Sequence, residues 1–403
     1  MSHSKHPTPP IRVLLITSGF AIDGPLGGIE RFGLELSKNI DTAKVDVTLL
    51  GMWAYGVENE QTWLKHAQAA GVNAIMPTQW DESSPTKSFW RCLVDTRNML
   101  QGERFDIIHS HCQFGDVLAL CLKRFLGAKT LLRTVHNEKE WPRRQYRRQL
   151  LTNFLLPLTY KAEYGVSDQV VANLNSRRLT NRLNKPAGVL NNALNATQME
   201  QKLAKVVDVD QLKAELGVPT NGRIIGSVGR LVEQKGYAFL IDAAVELCKT
   251  FDDLYFVIAG DGPLKDGLQA KVDRLGLQKR FLFAGPRSDI ESLYKIFDIF
   301  VSCSLWEGLP TVIMESLYAK IPVVATRVSG NIELVLDKKT GILVEPHSAD
   351  SLIEGMTELL NLSNSAIYSL RQNGKEHITE HFTFKQVAVK HEQIYQESLS
   401  GSG

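Results

Sequence analysis

Apolar residues recur along this chain in short unbroken runs separated by stretches with helical spacing. Ile11–Thr17 is a buried-type strand, and Ile29–Asn39 has helical spacing at Phe32, Leu34, Leu36 and Ile40. Val45–Leu50 is a second strand. Further strands are expected at Ile107–His109, Thr130–Thr134, Gln169–Ala172 and Gly188–Leu190. The pattern restarts at Arg223–Gly229. It continues through Leu254–Gly260, Arg280–Gly285, Asp298–Ser302 and Pro322–Thr326, with helices between. Strands alternating with helices predict parallel sheets covered on both faces. The polar stretch 193–222 has the weakest strand signals, and the domain crossover is placed there. The expectation is an α/β protein of two tandem doubly wound Rossmann-like domains facing a central cleft. The first spans 1–192 with the return of a final helix at 384–399, and the second spans 193–383. Ligands of such sheets bind at the carboxyl ends of the strands.

Composition agrees with this picture. A chain of 403 residues exceeds the single-core limit of roughly 250–300 residues. With 43% apolar and 22% charged residues it reads as globular. The net charge of +2 hides an asymmetry. Residues 1–187 hold 24 Lys and Arg against 17 Asp and Glu, a balance of +7, and the remainder holds 22 against 27, or −5. A basic first half fits an anionic surface or substrate on that side. The five scattered cysteines form no Cys-x-x-Cys and read as reduced thiols of a cytosolic protein. No apolar stretch reaches the roughly 18–20 residues of a membrane span.

The chemistry gathers after strands. Trp306-Glu307-Gly308-Leu309-Pro310-Thr311 follows a buried run and opens a helix expected to begin near Gly308 to Pro310. The free N–H groups of a helix start bind anions. Glu307 and Glu315 would stand about 80° apart around that helix, Glu307 at its mouth and Glu315 two turns deeper. A sugar nucleotide fits: sugar hydroxyls at Glu307, phosphate at the helix start, ribose hydroxyls at Glu315. Arg230 and Lys235 flank the Gly229–Gly236 loop after another strand, where two cations would hold a diphosphate in place of a metal ion. Gly260-Asp261-Gly262-Pro263 and Gly285-Pro286-Arg287 make tight turns that bring backbone close to a flat ligand. Gly27 and Gly28 let backbone approach a phosphate at the start of the first helix. For each of these motifs, taken alone, an ordinary turn or a surface charge is the simpler reading.

Histidines and a basic stretch add further signals. His109 and His111 share one face of a strand, but no third and fourth ligand follow at metal spacing, so structural or substrate-lining roles are favoured and no metal is expected. His136 follows the strand Thr130–Val135 at a position suited to touching substrate. Between Lys139 and Leu158, Arg143, Arg144, Arg147 and Arg148 stand beside Leu150, Leu151, Phe154, Leu155 and Leu156. That mixture suits an anionic membrane surface, or equally a solvated helix end running into a core helix. No nucleic-acid recognition motif accompanies the charges.

In order and spacing these motifs resemble the retaining glycosyltransferases of the GT-B fold, glycosyltransferase family four, over nearly the whole chain. The resemblance rests on Gly27–Arg31, Asp106–His111, His136, Val228-Gly229-Arg230 with Lys235-Gly236, Ala259–Pro263 and Glu307–Glu315. It implies that Gly28 approaches the donor phosphates and His136 contacts the donor sugar. Arg230 and Lys235 would bind the leaving diphosphate, and Glu307 with the N–H groups of Gly308 and Leu309 would hold the sugar. Glu315 would bind ribose, and the Arg287–Ile290 loop would border the base. The helix Phe384–Leu399 would cross back onto the first domain. Asn191-Asn192-Ala193-Leu194-Asn195 departs from the Asn-Gly-Val-Asp of many relatives, which bears on the crossover and not on the chemistry.

The implied activity is transfer of a hexosyl unit, with retention, from a nucleotide-sugar to a hydroxyl acceptor. No metal or other cofactor is implied. UDP is the expected donor base on family grounds. A lipid-linked acceptor at the cytoplasmic face of a membrane, in surface polysaccharide or glycolipid assembly, is compatible with the basic half. The alternatives are an epimerase or phosphorylase on the same fold, or a sugar-nucleotide-binding protein without turnover. A phosphorylase would need lysine-bound pyridoxal, and an epimerase would need no acceptor. The presence of Arg230, Lys235, Glu307 and Glu315 together argues against the non-catalytic reading. Residues 52–95 carry no motif that identifies the acceptor.

Overall fold

In a computed structural model, which describes residues 9–20, 28–57, 59–136 and 150–400, the chain divides into two compact units. The first is residues 1–192 with 384–403, and the second is 193–383.

The first unit holds a seven-stranded sheet in the order β4-β2-β1-β6-β7-β8-β9. Its strands are β1 (Ile11–Thr17), β2 (Val45–Gly51), β4 (Asn73–Ile75), β6 (Ile107–Ser110), β7 (Thr130–Val135), β8 (Ala162–Gly165) and β9 (Gly188–Val189). Each observed pairing is parallel, as in Ile11↔Val45 and Val13↔Ile107. A small parallel pair, β3 (Trp53–Ala54) and β5 (Thr78–Gln79), stands beside it. β7 is buried along its whole length and β1 from Val13 to Thr17, as strands covered on both faces are. On one face Leu14, Ile16, Phe89, Leu93, Leu118, Leu131 and Leu156 form a single core. The helices Gly28–Asn39 and Phe384–Ser400 also belong to this unit, joined by a Phe32–Phe384 ring contact.

The second unit has six strands in the order β12-β11-β10-β13-β14-β15. They are β10 (Arg223–Val228), β11 (Leu254–Ala259), β12 (Phe281–Gly285), β13 (Ile299–Ser302), β14 (Val323–Thr326) and β15 (Gly341–Val344). The chain starts at β10, fills one side with β11 and β12, then returns to the other side at β13. The strand order therefore reverses between β10 and β13. Crevices at such reversals, outside the carboxyl ends, are where open parallel sheets hold ligands. In the first unit the equivalent point lies between β1 and β6.

Three expectations need correction here. Gln169–Ala172 is not a strand but part of the helix Asp168–Asn175, capped by Ser167, whose hydroxyl accepts from the N–H of Val170. Its paired valines have high strand propensity, and the cap with the packing of Val170 and Leu174 overrides it. The helix after β13 begins at Thr311, later than expected. Leu309, as the residue before a proline, is pushed out of the helical region and cannot start the helix, and Pro310 is its extended N-cap residue. Glu307 therefore lies on the preceding loop, not at a helical position, and the angle between it and Glu315 is not set by helix periodicity.

Candidate active site

In the second unit the loops after β10 and β13 meet at the strand-order reversal. Gly229–Gly236 follows β10, and Cys303–Pro310 follows β13. Backbone bonds strap them together. Leu305 N–H donates to Gln234 O at 2.7 Å, and the Cys303 thiol donates to Lys235 O at 3.1 Å. Gly236 makes this approach possible. Its φ is +65°, and a Cβ there would stand 2.1 Å from Cys303 O.

The strap sets Lys235 against Glu307. Lys235 Nζ donates to Glu307 Oε1 at 2.5 Å. Ser304 Oγ donates to the same oxygen at 2.6 Å, and Gln234 Nε2 reaches Oε2 at 3.3 Å. The Glu307 side chain is only 7% exposed and that of Lys235 is 19% exposed. Ser304 is itself fixed, since Thr326 Oγ1 donates to its carbonyl at 2.5 Å. The two residues assigned from sequence to different parts of a ligand are thus one ion pair. An ammonium has three donors and Glu307 takes one of them. Arg230 lies on the same loop with its side chain exposed.

Glu315 is half-buried in the second turn of the helix Thr311–Tyr318 and accepts from Tyr294 Oη at 2.7 Å. Burial, and then Glu315 itself, push the Tyr294 phenol well above its ordinary value, so it stays protonated and donates. The helix has no side-chain cap at its start, where Thr311 is exposed and Leu309 and Pro310 are buried. Gly308 is approached by Gly330, which has φ +79° and whose added Cβ would meet Gly308 O at 2.4 Å. Arg287 is held by Asp289 through two bonds of 2.8 Å and by Glu215 at 2.8 Å, which raise its guanidinium above its usual value. Ile290 opens the short helix Ile290–Tyr294, which supplies Tyr294. The single Asp-x-Asp of the sequence, Asp208-Val209-Asp210, is a helix cap, with Asp208 accepting from Gln211 N–H at 3.0 Å.

The first unit places its own polar groups at the carboxyl ends of β1, β6 and β7. Gly28 opens its helix with no atom of the described residues within 4 Å of an added Cβ, while Gly27 lies outside the described residues. Glu30, in the first turn, is 1% exposed and accepts from Ser18 Oγ. Burial raises its carboxyl above the ordinary range. His136 is half-buried, with Nε2 3.0 Å from His111 Nδ1. Close packing lowers His136 to about 4 against the raising effect of an Asn192 hydrogen bond. It is therefore a neutral imidazole at pH 7. His109 is not a lining group: it is 0% exposed, with its ring nitrogens 2.9 Å from Tyr395 Oη and from Thr134 Oγ1.

Sequence reasoning missed Gln234, Ser304, Tyr294, Gly330 and Glu30. Gln234 and Glu30 lie inside the chosen motifs Gly229–Gly236 and Gly27–Arg31, and Ser304 stands two residues before Trp306. Gly330 and Tyr294 reach the site only through tertiary packing. Of the basic stretch, 139–149 lies outside the described residues. Leu150, Phe154, Leu155 and Leu158 are exposed (65%, 56%, 40% and 56%), and Leu156 is buried. No helix among the described residues is long and apolar enough to cross a membrane.

A family model described as Glycosyl transferases group 1 matches residues 208–377, and one described as Glycosyltransferase Family 4 matches 26–189. The UDP-Gal:alpha-D-GlcNAc-diphosphoundecaprenol alpha-1,3-galactosyltransferase of Escherichia coli is 26% identical over 375 residues, covering 92% of this chain and 94% of its own. Among solved structures, a glycosyltransferase from Rickettsia africae ESF-5 superposes with a TM-score of 0.77 at 20% identity, over 98% of this chain and 100% of that one. Anabaena HepE in complex with UDP and glucose gives 0.73 at 20% identity, over 97% and 100%. Two Rossmann-like units, each matched by its own family model, place the chain in glycosyltransferase family 4 (group 1): it is a glycosyltransferase with the GT-B fold.

Proposed function

We propose that this enzyme transfers a hexosyl unit from a UDP-sugar to a lipid-linked hydroxyl acceptor, with retention and without an exchangeable metal ion, in polysaccharide or glycolipid assembly. The observation that carries the reading is the Lys235–Glu307 pair at the strand-order reversal, between exposed Arg230 and an uncapped helix start. Two cations and a helix N-terminus suit a departing diphosphate, and a carboxylate beside them suits sugar hydroxyls. The acceptor hydroxyl attacks the anomeric carbon from the leaving-group face. The bond from that carbon to the diphosphate breaks, and the departing oxygen takes the acceptor proton. Positioning and charge stabilisation then supply the rate. Glu315, held by Tyr294, binds ribose hydroxyls. His136 offers a neutral ring to the donor sugar, and the Arg287–Ile290 turn borders the base.

The E. coli relative is named for a UDP-sugar donor and a diphosphoundecaprenol acceptor, which supports this choice of donor and acceptor class. Exposed Leu150, Phe154, Leu155 and Leu158, preceded in sequence by four arginines, support docking at the inner face of an anionic membrane. Failure to sediment with anionic vesicles at low salt would remove the membrane part alone.

The first experiment is a thermal-shift panel of UDP-, GDP-, ADP- and dTDP-sugars and their free nucleotides in EDTA. A ligand at a hundred times its Kd stabilises by about 2.7 kcal/mol. UDP species should stabilise the protein, and Glu315→Ala should lose the effect. Stabilisation by another nucleotide would replace the donor. No shift with any of them would overturn the site as described.

A further inference from the structure

The core of the first unit brings together three histidines from distant parts of the chain. His109 is in β6, His111 follows it, and His391 lies on the helix Phe384–Ser400. Their exposures are 0%, 1% and 0%. One ring nitrogen from each lies within 4.8 Å of the others. Ring centroids are 4.4 Å apart for His109 and His111, 5.8 Å for His109 and His391, and 6.4 Å for His111 and His391.

The hydrogen bonds fix what the His391 ring presents to the other two. His391 Nδ1 lies 2.8 Å from Val387 O. A carbonyl only accepts, so Nδ1 carries the proton and Nε2 is a bare lone pair. Among the described residues His391 Nε2 has no hydrogen-bond partner, and neither has His111 Nε2. His111 is held from its other side by His136 at 3.0 Å. A buried polar atom left unpaired destabilises the fold. Neutral imidazoles anchored through one nitrogen, with the other aimed at a shared point, are what a metal ion requires of its ligands. Both ring nitrogens of His109 face hydroxyls, on Thr134 and Tyr395. Ligation through His109 Nε2 therefore requires the Thr134 side chain to turn to another χ1 rotamer and withdraw its oxygen, while Nδ1 keeps its bond to Tyr395.

We propose that His109, His111 and His391 bind one divalent transition-metal ion of the zinc class, which ties the helix Phe384–Ser400 to the sheet of the first unit. An all-imidazole set suits zinc, nickel or copper and not calcium or magnesium, which take oxygen ligands. Tetrahedral nitrogens about 2.0–2.1 Å from zinc stand roughly 3.3 Å apart, so the widest gap closes by about 1.5 Å at most. One coordination position is left for a fourth ligand. Because the site is enclosed, the ion enters as the helix docks during folding, and metal binding is coupled to that docking. This role is structural and independent of the donor chemistry, so an exchangeable metal in transfer is a separate question.

The test uses full-length protein without a polyhistidine tag, expressed with zinc and measured by elemental analysis. The expected result is about one zinc per chain. His391→Gln and His111→Gln should each weaken zinc binding more than tenfold, as changes in a metal site do. His377→Gln, outside the cluster, should keep the full complement. Protein unfolded in chelator and refolded with Zn²⁺ should melt higher than protein refolded without it. With Co²⁺ it should show the absorption of a tetrahedral centre, a readout that stands even if the variants fail to fold. Wild-type protein holding less than about a tenth of an equivalent of zinc, nickel or copper, as purified and after refolding with zinc, would overturn the proposal and leave a water-bridged cluster of neutral histidines. Unchanged zinc content in folded His391→Gln would also overturn it.

Discussion

Replacing Lys235 by alanine separates structural from chemical roles of the Lys235–Glu307 pair. The change removes the cation from a carboxylate that is 7% exposed, and the two groups sit 2.5 Å apart. Removing one partner of a fully buried pair costs about 3–5 kcal/mol. Lys235 is 19% exposed, and Glu307 keeps donors from Ser304 and Gln234. The expected loss is therefore nearer about 2–3 kcal/mol. For a unit of this size that lowers the melting temperature by roughly 5–10 °C. The chemical effect is separate. Loss of one charge-stabilising donor reduces turnover by about 10²–10³ at saturating donor. Both are measured on the same preparations, by calorimetry and by release of free nucleotide. Lys235→Met combined with Glu307→Gln decides between the roles. It removes both charges, so most of the stability should return while turnover stays low. Recovery of turnover with stability would show that Lys235 only holds the loop. A Lys235→Ala enzyme with parental melting and parental rate would refute the whole account of the pair.

Three further outcomes follow from other places in the fold. Gly236→Ala forces a side chain into the left-handed region against Cys303 O, and should cost about 2–4 kcal/mol in urea unfolding and disturb Lys235 with it. Arg133, 1% exposed, pairs with Asp116 at 3.1 Å and Glu163 at 2.9 Å; Glu163 keeps Arg177 at 3.0 Å, so Arg133→Leu takes the cation from buried Asp116 and should cost about 3–5 kcal/mol by the same measurement. Glu30 has its carboxyl raised by burial, so the folded state holds that proton more tightly than the unfolded chain. Its stabilising contribution is complete below about pH 4.3 and is lost as pH rises through the folded value. Glu30→Gln should therefore melt higher than the parent at pH 7–8 and converge with it near about pH 4. A constant difference across that range would show that Glu30 does not titrate as described.

Much of the secondary structure is legible in the chain, for a physical reason. β1, β10, β11 and β13 are buried over most of their length, so they appear as short apolar-rich runs, as strands of a covered parallel sheet do. Short edge strands such as Asn73–Ile75 carry no such run and were not visible. Paired valines in 168–175 mimic a strand until Ser167 caps them as a helix. Motifs at strand ends locate candidate chemistry because loops at carboxyl ends can be read from the strands before them. What the chain alone cannot show is which of those loops meet. Lys235 and Glu307 stand apart in sequence, and only the adjacency of β10 and β13, with Gly236 allowing backbone contact, makes them one pair. Pro310 and Leu309 determine where the following helix starts, but the position of Glu307 depends on the loop packed around it. His109 and His111 suggested no metal because their local spacing offers no third ligand. The third imidazole comes from the helix that closes the chain, since the first unit is completed by Phe384–Ser400. Local pattern sets element type through burial and period, while long-range pairing, which no local pattern encodes, decides which side chains share a site.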